Sequence, residues 1–180
     1  MTTLGSPHAN RGRTLELVLE QSNAVYRERG IALVHKVPTA WLPIRGSSGK
    51  IITAKVDEPT CVDFLGVYRG RAIAFDAKET RQQRWPVSAV TGLQLRWLED
   101  WDRAGGTGFL VVQYVLEGDE AYLVTFNQLA VWYHRACWPR GEKSVHVDEA
   151  RATCRRVVSA RGVLLDYLVA LDEATAASAA

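Results

Sequence analysis

Residues Thr60 to Arg81 read TCVDFLGVYRGRAIAFDAKETR. Two apolar, β-prone runs, Val62 to Tyr68 and Arg71 to Asp76, flank the pair Arg69-Gly70. Such runs on either side of a short glycine-bearing pair predict a β-hairpin. With a two-residue loop Tyr68 faces Arg71, and counting back along both strands sets Asp63 directly across from Asp76. Side chains alternate along a strand, so Lys78 falls on the same face as Asp76. Arginine is a poor first residue for a type I′ turn, which requires positive φ there. A three-residue loop with Gly70 as the bulge residue pairs Asp63 with Phe75 instead, leaving the acids neighbours but less directly opposed.

Opposed carboxylates on adjacent strands lie about 4.5–5.5 Å apart and repel. A divalent cation is the simplest compensation, since Mg²⁺ is a hard ion that takes carboxylate oxygens and keeps several waters for chemistry. On this reading Asp63 and Asp76 bind the metal, and Lys78 stands beside it to hold or deprotonate the attacking water. The competing reading is an exposed hairpin whose Asp76 and Lys78 form a surface salt bridge of little energetic weight. The pattern Asp…Asp-x-Lys is short and common, so spacing alone does not choose between them.

Context does choose. Asp63 followed by Asp76-Ala77-Lys78 on the next strand resembles the metal-binding core of the PD-(D/E)XK nuclease superfamily. More narrowly, VDFLGVYRGRAIAFDAKET resembles the RecU-type Holliday junction resolvases. A first helix carrying Glu16, the strand exit Lys36-Val37-Pro38-Thr39, a helix containing Gln94 and the run Gly108 to Val112 follow in the family's order. Val62 stands where the superfamily's name has proline. The resemblance covers most of residues 11 to about 130.

It implies an α/β, restriction-endonuclease-like fold: a mixed central sheet flanked by helices, with a projecting basic arm. It implies metal-dependent hydrolysis of a DNA phosphodiester with Mg²⁺, or Mn²⁺ as substitute, held by Asp63, Asp76 and the carbonyl of Ala77. Lys78, Glu16 acting through a water, and Gln94 complete the expected catalytic set. A four-way junction is the implied substrate, cut by a twofold dimer in homologous recombination and repair, with recombination proteins as further partners. Two alternatives stay open: a nuclease of the same fold acting on duplex, flap or damaged DNA, and a non-catalytic DNA-binding recombination accessory.

At 180 residues and 47% hydrophobic, the chain is expected to form one domain able to bury a core unaided. Cys61, Cys137 and Cys154 are odd in number and widely spaced, and match no zinc-site pattern with His35, His134 and His146. They point to a reducing cytoplasm rather than a disulfide framework. No run long enough for a membrane span exists, and Met1 to Asn10 lacks the apolar centre of a signal peptide.

The net charge of +2 announces nothing by itself, but residues 1–56 hold eight Lys and Arg against three Glu. A basic first third is the expected footprint of a surface facing phosphates. The candidate DNA contacts are Arg11, Arg13, Lys36, Arg45, Lys50, Lys55, Arg81 and Arg84.

In chain order, residues 1–10 are expected to be a flexible start, 11–174 a nuclease domain with its arm at about 40–58, and 175–180 a frayed tail. Leu15, Val18, Leu19, Val25 and Tyr26 predict an amphipathic helix from Gly12 to Arg29, ended by Gly30, with Glu16 at the border of its stripe. Ile31 to Val37 reads as a strand stopped by Pro38. The stretch to Pro59 is too long for an ordinary connection; it reads as an extended arm with a basic, glycine-rich tip, Arg45 to Lys50. Its Gly46-Ser-Ser-Gly49-Lys50 lacks the spacing of a phosphate loop.

A helix opening near Pro86 to Ser88 follows, with Val90, Leu93, Trp97, Leu98 and Trp101 as its stripe and Gln94 at the stripe's edge. Gly108 to Leu116 and Glu120 to Phe126 are apolar enough to be buried strands. Asn127 is the expected cap of a helix to about Cys137, and the last helices are placed near 148–157 and 161–174. Trp132, Tyr133 and Trp138 offer rings for stacking on unpaired bases, against the commoner fate of core residues.

Overall fold

The computed structural model describes residues 13–38, 41–56, 62–116 and 118–178. Met1 to Asn10, Arg11 and Cys61 lie outside the described residues. Arg13 opens the first helix, although its side chain is not among those described.

The fold is organised by the stretch quoted above. β4 (Phe64–Tyr68) and β5 (Arg71–Thr80) form an antiparallel hairpin with Tyr68 across from Arg71 and Phe64 across from Phe75. The loop is the two-residue one: Arg69 (φ 49°) and Gly70 (φ 73°) both take positive φ. That backbone matches the right-handed twist of the flanking strands, and the twist decides the turn in spite of the arginine. Arg69 is held there by an ion pair to Asp172 at 3.3 Å.

β5 is central. It runs parallel to β7 (Thr107–Tyr114), which pairs antiparallel with β8 (Glu120–Thr125). On the other side β4 pairs with β1 (Ala32–Lys36). With β10 (Arg155–Val157) beyond β8, the six-stranded sheet has the order β1-β4-β5-β7-β8-β10. Gly66 of β4 is required by close approach, since a Cβ there would come within 2.8 Å of Val34 Cα in the neighbouring strand.

Both faces of the sheet centre are covered, so Phe109 to Val112 of β7 are buried without alternation. On one face α1 (Arg13–Glu28) and α5 (Tyr167–Ser178) pack Leu15, Leu19, Tyr26, Leu168 and Leu171 against Phe64, Phe75 and Phe109. Those three rings, adjacent across β4, β5 and β7, stack at 4.8 and 4.7 Å between centroids. On the other face α2 (Gly92–Arg103) and α3 (Phe126–Cys137) bring Leu98, Leu129 and Trp132 onto Ala74, Leu110 and Val124. Asp76 and Lys78 point to this second face.

The expected arm is a separate two-stranded hairpin, β2 (Trp41–Arg45) with β3 (Ile51–Val56). Every described strand side chain in it is exposed, including Trp41, Ile51 and Ile52.

Four expectations are corrected. No helix opens at Pro86: β6 (Arg84–Pro86) pairs with β9 (Ser144–His146), a 3₁₀ turn follows at Val87–Ala89, and α2 starts at Gly92. The cap of α3 is Thr125, whose side chain accepts from Gln128 N–H, not Asn127. The segment 148–157 is split into α4 (Val147–Thr153) and the edge strand β10, because Arg155 to Val157 find a ladder partner in β8. The last helix begins six residues later than expected and continues to Ser178; residues 161 and 162 take positive φ, which no helix accommodates, and the alanines of the tail are strong helix formers. Trp132 is core, while Trp138 is exposed.

Candidate active site

Where β4 begins and β5 passes the edge of the core, three chemically expensive side chains meet. Asp76 is fully buried. Its Oδ1 accepts from the Ala77 N–H at 3.1 Å, and its Oδ2 receives Lys78 Nζ at 2.9 Å. Asp63 reaches the same peptide from the opposite strand, its Oδ2 accepting from Ala77 N–H at 2.9 Å. One backbone N–H is thus shared by two carboxylates. Burial, a hydrogen bond to Asp76 and the charge of Asp76 together push the Asp63 carboxyl up to about 7 from its ordinary 3.8. Two carboxylates this close disfavour carrying both charges at once, which a cation between them relieves.

Gln94 arrives from α2. Thr91 is the helix N-cap and Gln94 its third residue, and the two form a capping box. The Gln94 Nε2 donates to Asp76 Oδ2. Asp76 therefore has both oxygens engaged by donors, from Ala77, Lys78 and Gln94.

The donor set suits a small hard cation. Mg²⁺ is commonly bound by one or two carboxylates while keeping several waters, and Asp63, Asp76 and the Ala77 carbonyl supply that number. Among the described residues no three His, Cys, Asp or Glu side chains cluster as a dedicated all-protein cage. Two facing acids with a raised carboxyl pKa are the arrangement a divalent ion relieves.

The sequence profile of the family described as Recombination protein U matches residues 10–173. The chain belongs to the RecU family. It is 33% identical over 171 residues to the Holliday junction resolvase RecU of Geobacillus kaustophilus, covering 92% of this chain and 84% of that one. It is 30% identical over 172 residues to the Holliday junction resolvase RecU of Staphylococcus aureus, strain MRSA252, covering 92% and 82%. A solved structure of the Archaeoglobus fulgidus Holliday junction resolvase Hjc superposes with a TM-score of 0.43 at 9% identity, over 74% of this chain and 92% of that one.

In this chain Asp63, Asp76, Ala77, Lys78 and Gln94 come together as one constellation. Glu16 is engaged elsewhere: Lys36 Nζ lies 2.7 Å from its carboxylate and 2.9 Å from that of Glu20. The Glu16 and Glu20 hydrogen bonds raise the Lys36 ammonium above its ordinary value. Arg84 is likewise occupied, 3.1 Å from Glu142. Arg81, Lys50 and Lys55 are exposed, and Arg45 is exposed with one guanidinium nitrogen donating to the Gly49 carbonyl at 2.9 Å.

Two residues escaped the sequence reading. Glu79, next to Lys78 but on the opposite face of β5, accepts a hydrogen bond from the Leu15 N–H in the first turn of α1, and burial raises its carboxyl pKa. No local signal marks it, because the contact joins positions far apart in the chain. Thr91 was legible: Thr91-x-x-Gln94 is the capping-box pattern, obscured by placing the helix start too early.

Proposed function

We propose that this chain is a metal-dependent endonuclease that resolves four-way DNA junctions by paired symmetric nicks. The observation carrying this is the shared Ala77 N–H. It fixes Asp63 and Asp76 face to face with Lys78 at 2.9 Å from Asp76, in a chain whose relatives bear the name Holliday junction resolvase.

Asp63, Asp76 and the Ala77 carbonyl would hold Mg²⁺, with Mn²⁺ as substitute. When bound, the ion polarises the phosphoryl oxygen, lowers the pKa of a water and stabilises the leaving oxygen. The chain's own residues do the rest. Asp63 gives up the proton that its burial favours, so that both carboxylates are charged. Lys78, anchored on Asp76, presents an ammonium that orients the attacking water and offsets the charge developing at phosphorus. Gln94 keeps Asp76 from rotating out of place. The basic arm, with Arg45, Lys50 and Lys55, contacts phosphates of the branched substrate, and Arg81, exposed just past the end of β5, is a further phosphate contact. Two symmetric cuts call for two sites, hence a twofold dimer; action on DNA during recombination and repair places it in the cytoplasm beside other recombination proteins. None of the helices, among the described residues, is long and apolar enough to cross a membrane.

The test is cleavage of a four-way junction and of its linear duplex arms, in Mg²⁺ and in EDTA, by wild type and Asp76→Asn. Paired nicks in the junction alone, lost in EDTA and in the variant, are expected. Equal cutting of both substrates would retain the nuclease and remove the junction preference. Cutting that survives in Asp76→Asn would place the chemistry elsewhere.

A further inference from the structure

Of the three aromatic residues the sequence offers for stacking, Trp132 is core and Trp138 lies on the surface. Tyr133 is neither. It is half-buried in a groove of about 330 Å³ between the 3₁₀ turn Val87–Ala89, the first turn of α2 and the second half of α3. Val87 and Val90 give the groove a buried apolar floor, and Ala136 an apolar side. The Tyr133 hydroxyl stands over Gly92, where a side-chain carbon would come within 3.5 Å of it. Among the described residues that hydroxyl makes no hydrogen bond. The one cation lining the groove, Lys143, is occupied, its Nζ donating to the Trp138 carbonyl at 2.7 Å. The groove therefore suits an uncharged planar group better than an anion.

It adjoins the cleavage centre. After Lys78 the chain leaves β5, runs through β6 and the 3₁₀ turn, and returns against that strand as α2, whose Gln94 meets Asp76. Gly92 lies on the groove in the same first turn of α2 as that contact. A DNA strand with a phosphate at Asp63 and Asp76 carries bases on the nucleotides to either side. A nucleobase has apolar faces and a polar edge, and is held by an aromatic ring and a hydrogen-bonding partner. Tyr133 supplies both, its hydroxyl being donor and acceptor. Taking a base out of the stack costs least where pairing is already disturbed, as at a branch point.

We propose that this groove receives an unstacked base of the cleaved strand, from a nucleotide flanking the scissile phosphate, which stacks on Tyr133 and is read at its edge by the Tyr133 hydroxyl. This deepens the nuclease reading, on which it rests, by naming the source of a sequence preference: phosphates carry no sequence information, and a base edge does.

The experiment is a cycle of Tyr133→Leu against junctions with an abasic nucleotide placed in turn on each side of the mapped cut, read by binding in EDTA and by cleavage in Mg²⁺. On the intact junction Tyr133→Leu should weaken binding by about five- to a hundredfold, as the loss of one base–aromatic stack does. On the junction abasic at the occupied position, wild type and variant should bind alike. Tyr133→Phe, which keeps the ring, should bind the intact junction as wild type does and lose its preference among the bases at that position. Equal binding of the intact junction by wild type and Tyr133→Leu would overturn the inference. So would an equal loss at every abasic position, which would mark a structural role, or a changed oligomeric state of Tyr133→Leu in sedimentation, which would make the groove a contact between copies. The expected cycle in binding, from a wild type that cuts no DNA, would uphold the base site and remove the nuclease reading.

Discussion

The opposed acids at Asp63 and Asp76 should make the metal-free protein less stable as pH rises. The folded pKa of Asp63 is raised to about 7 from 3.8, by burial first and then by Asp76. A carboxyl raised on folding favours its protonated form in the native state. Its contribution is therefore at its best below the unfolded pKa, near pH 4, and is lost progressively as pH climbs through about 7. At 1.36 kcal/mol per pKa unit, the loss is on the order of a few kcal/mol, a sizeable share of a typical folding free energy of about 5–15 kcal/mol. Asp63→Asn removes the charge while keeping an oxygen for the Ala77 N–H. Urea unfolding in EDTA from pH 5 to 8 should show wild type weakening relative to the variant, with Asp63→Asn the more stable protein by roughly 2 kcal/mol or more at pH 8. Saturating Mg²⁺ should close the gap from the wild-type side, because a cation between the acids favours their charged forms. Parallel pH profiles, or a variant less stable than wild type at pH 8, would refute the reasoning.

Removing the ammonium in Lys78→Ala should depress junction cleavage by about a hundredfold or more while leaving junction binding in EDTA unchanged, measured by gel shift on the same substrate. Gly66→Ala should cost about 1–3 kcal/mol of unfolding free energy, because the added carbon would meet β1 backbone within 2.8 Å; chemical denaturation decides it. Replacing Arg45, Lys50 and Lys55 together with alanine should weaken junction binding and flatten its dependence on salt concentration by up to about three counterions, as titrations from low to moderate salt would read. Single-turnover cleavage at saturating protein should survive that triple change, since none of the three touches Asp76 or Lys78.

Two apolar runs around Arg69-Gly70 announced the hairpin within residues 62–76 but left two registers open, and the structure takes the one that sets buried Phe64 across from buried Phe75. The helix and the main strands that follow from periodicity were legible for the same reason: burying one stripe or both faces is a local demand on residue type. Alternation along two strands set Asp63, Asp76 and Lys78 on one face, and the resemblance to a nuclease family singled them out as a site.

Other features answer to partners distant in sequence. β10 is a strand because β8 offers it a ladder, and β6 because β9 does; three residues have no propensity strong enough to declare that alone. The engagement of Glu16 by Lys36, and of Glu79 by the first turn of α1, depends on how helix and sheet pack, as does the meeting of Gln94 with Asp76. Chain order supplied the candidates for the site. Tertiary structure decided which of them touch, because a carboxylate buried beside another is held by donors that only packing can bring within about 3 Å.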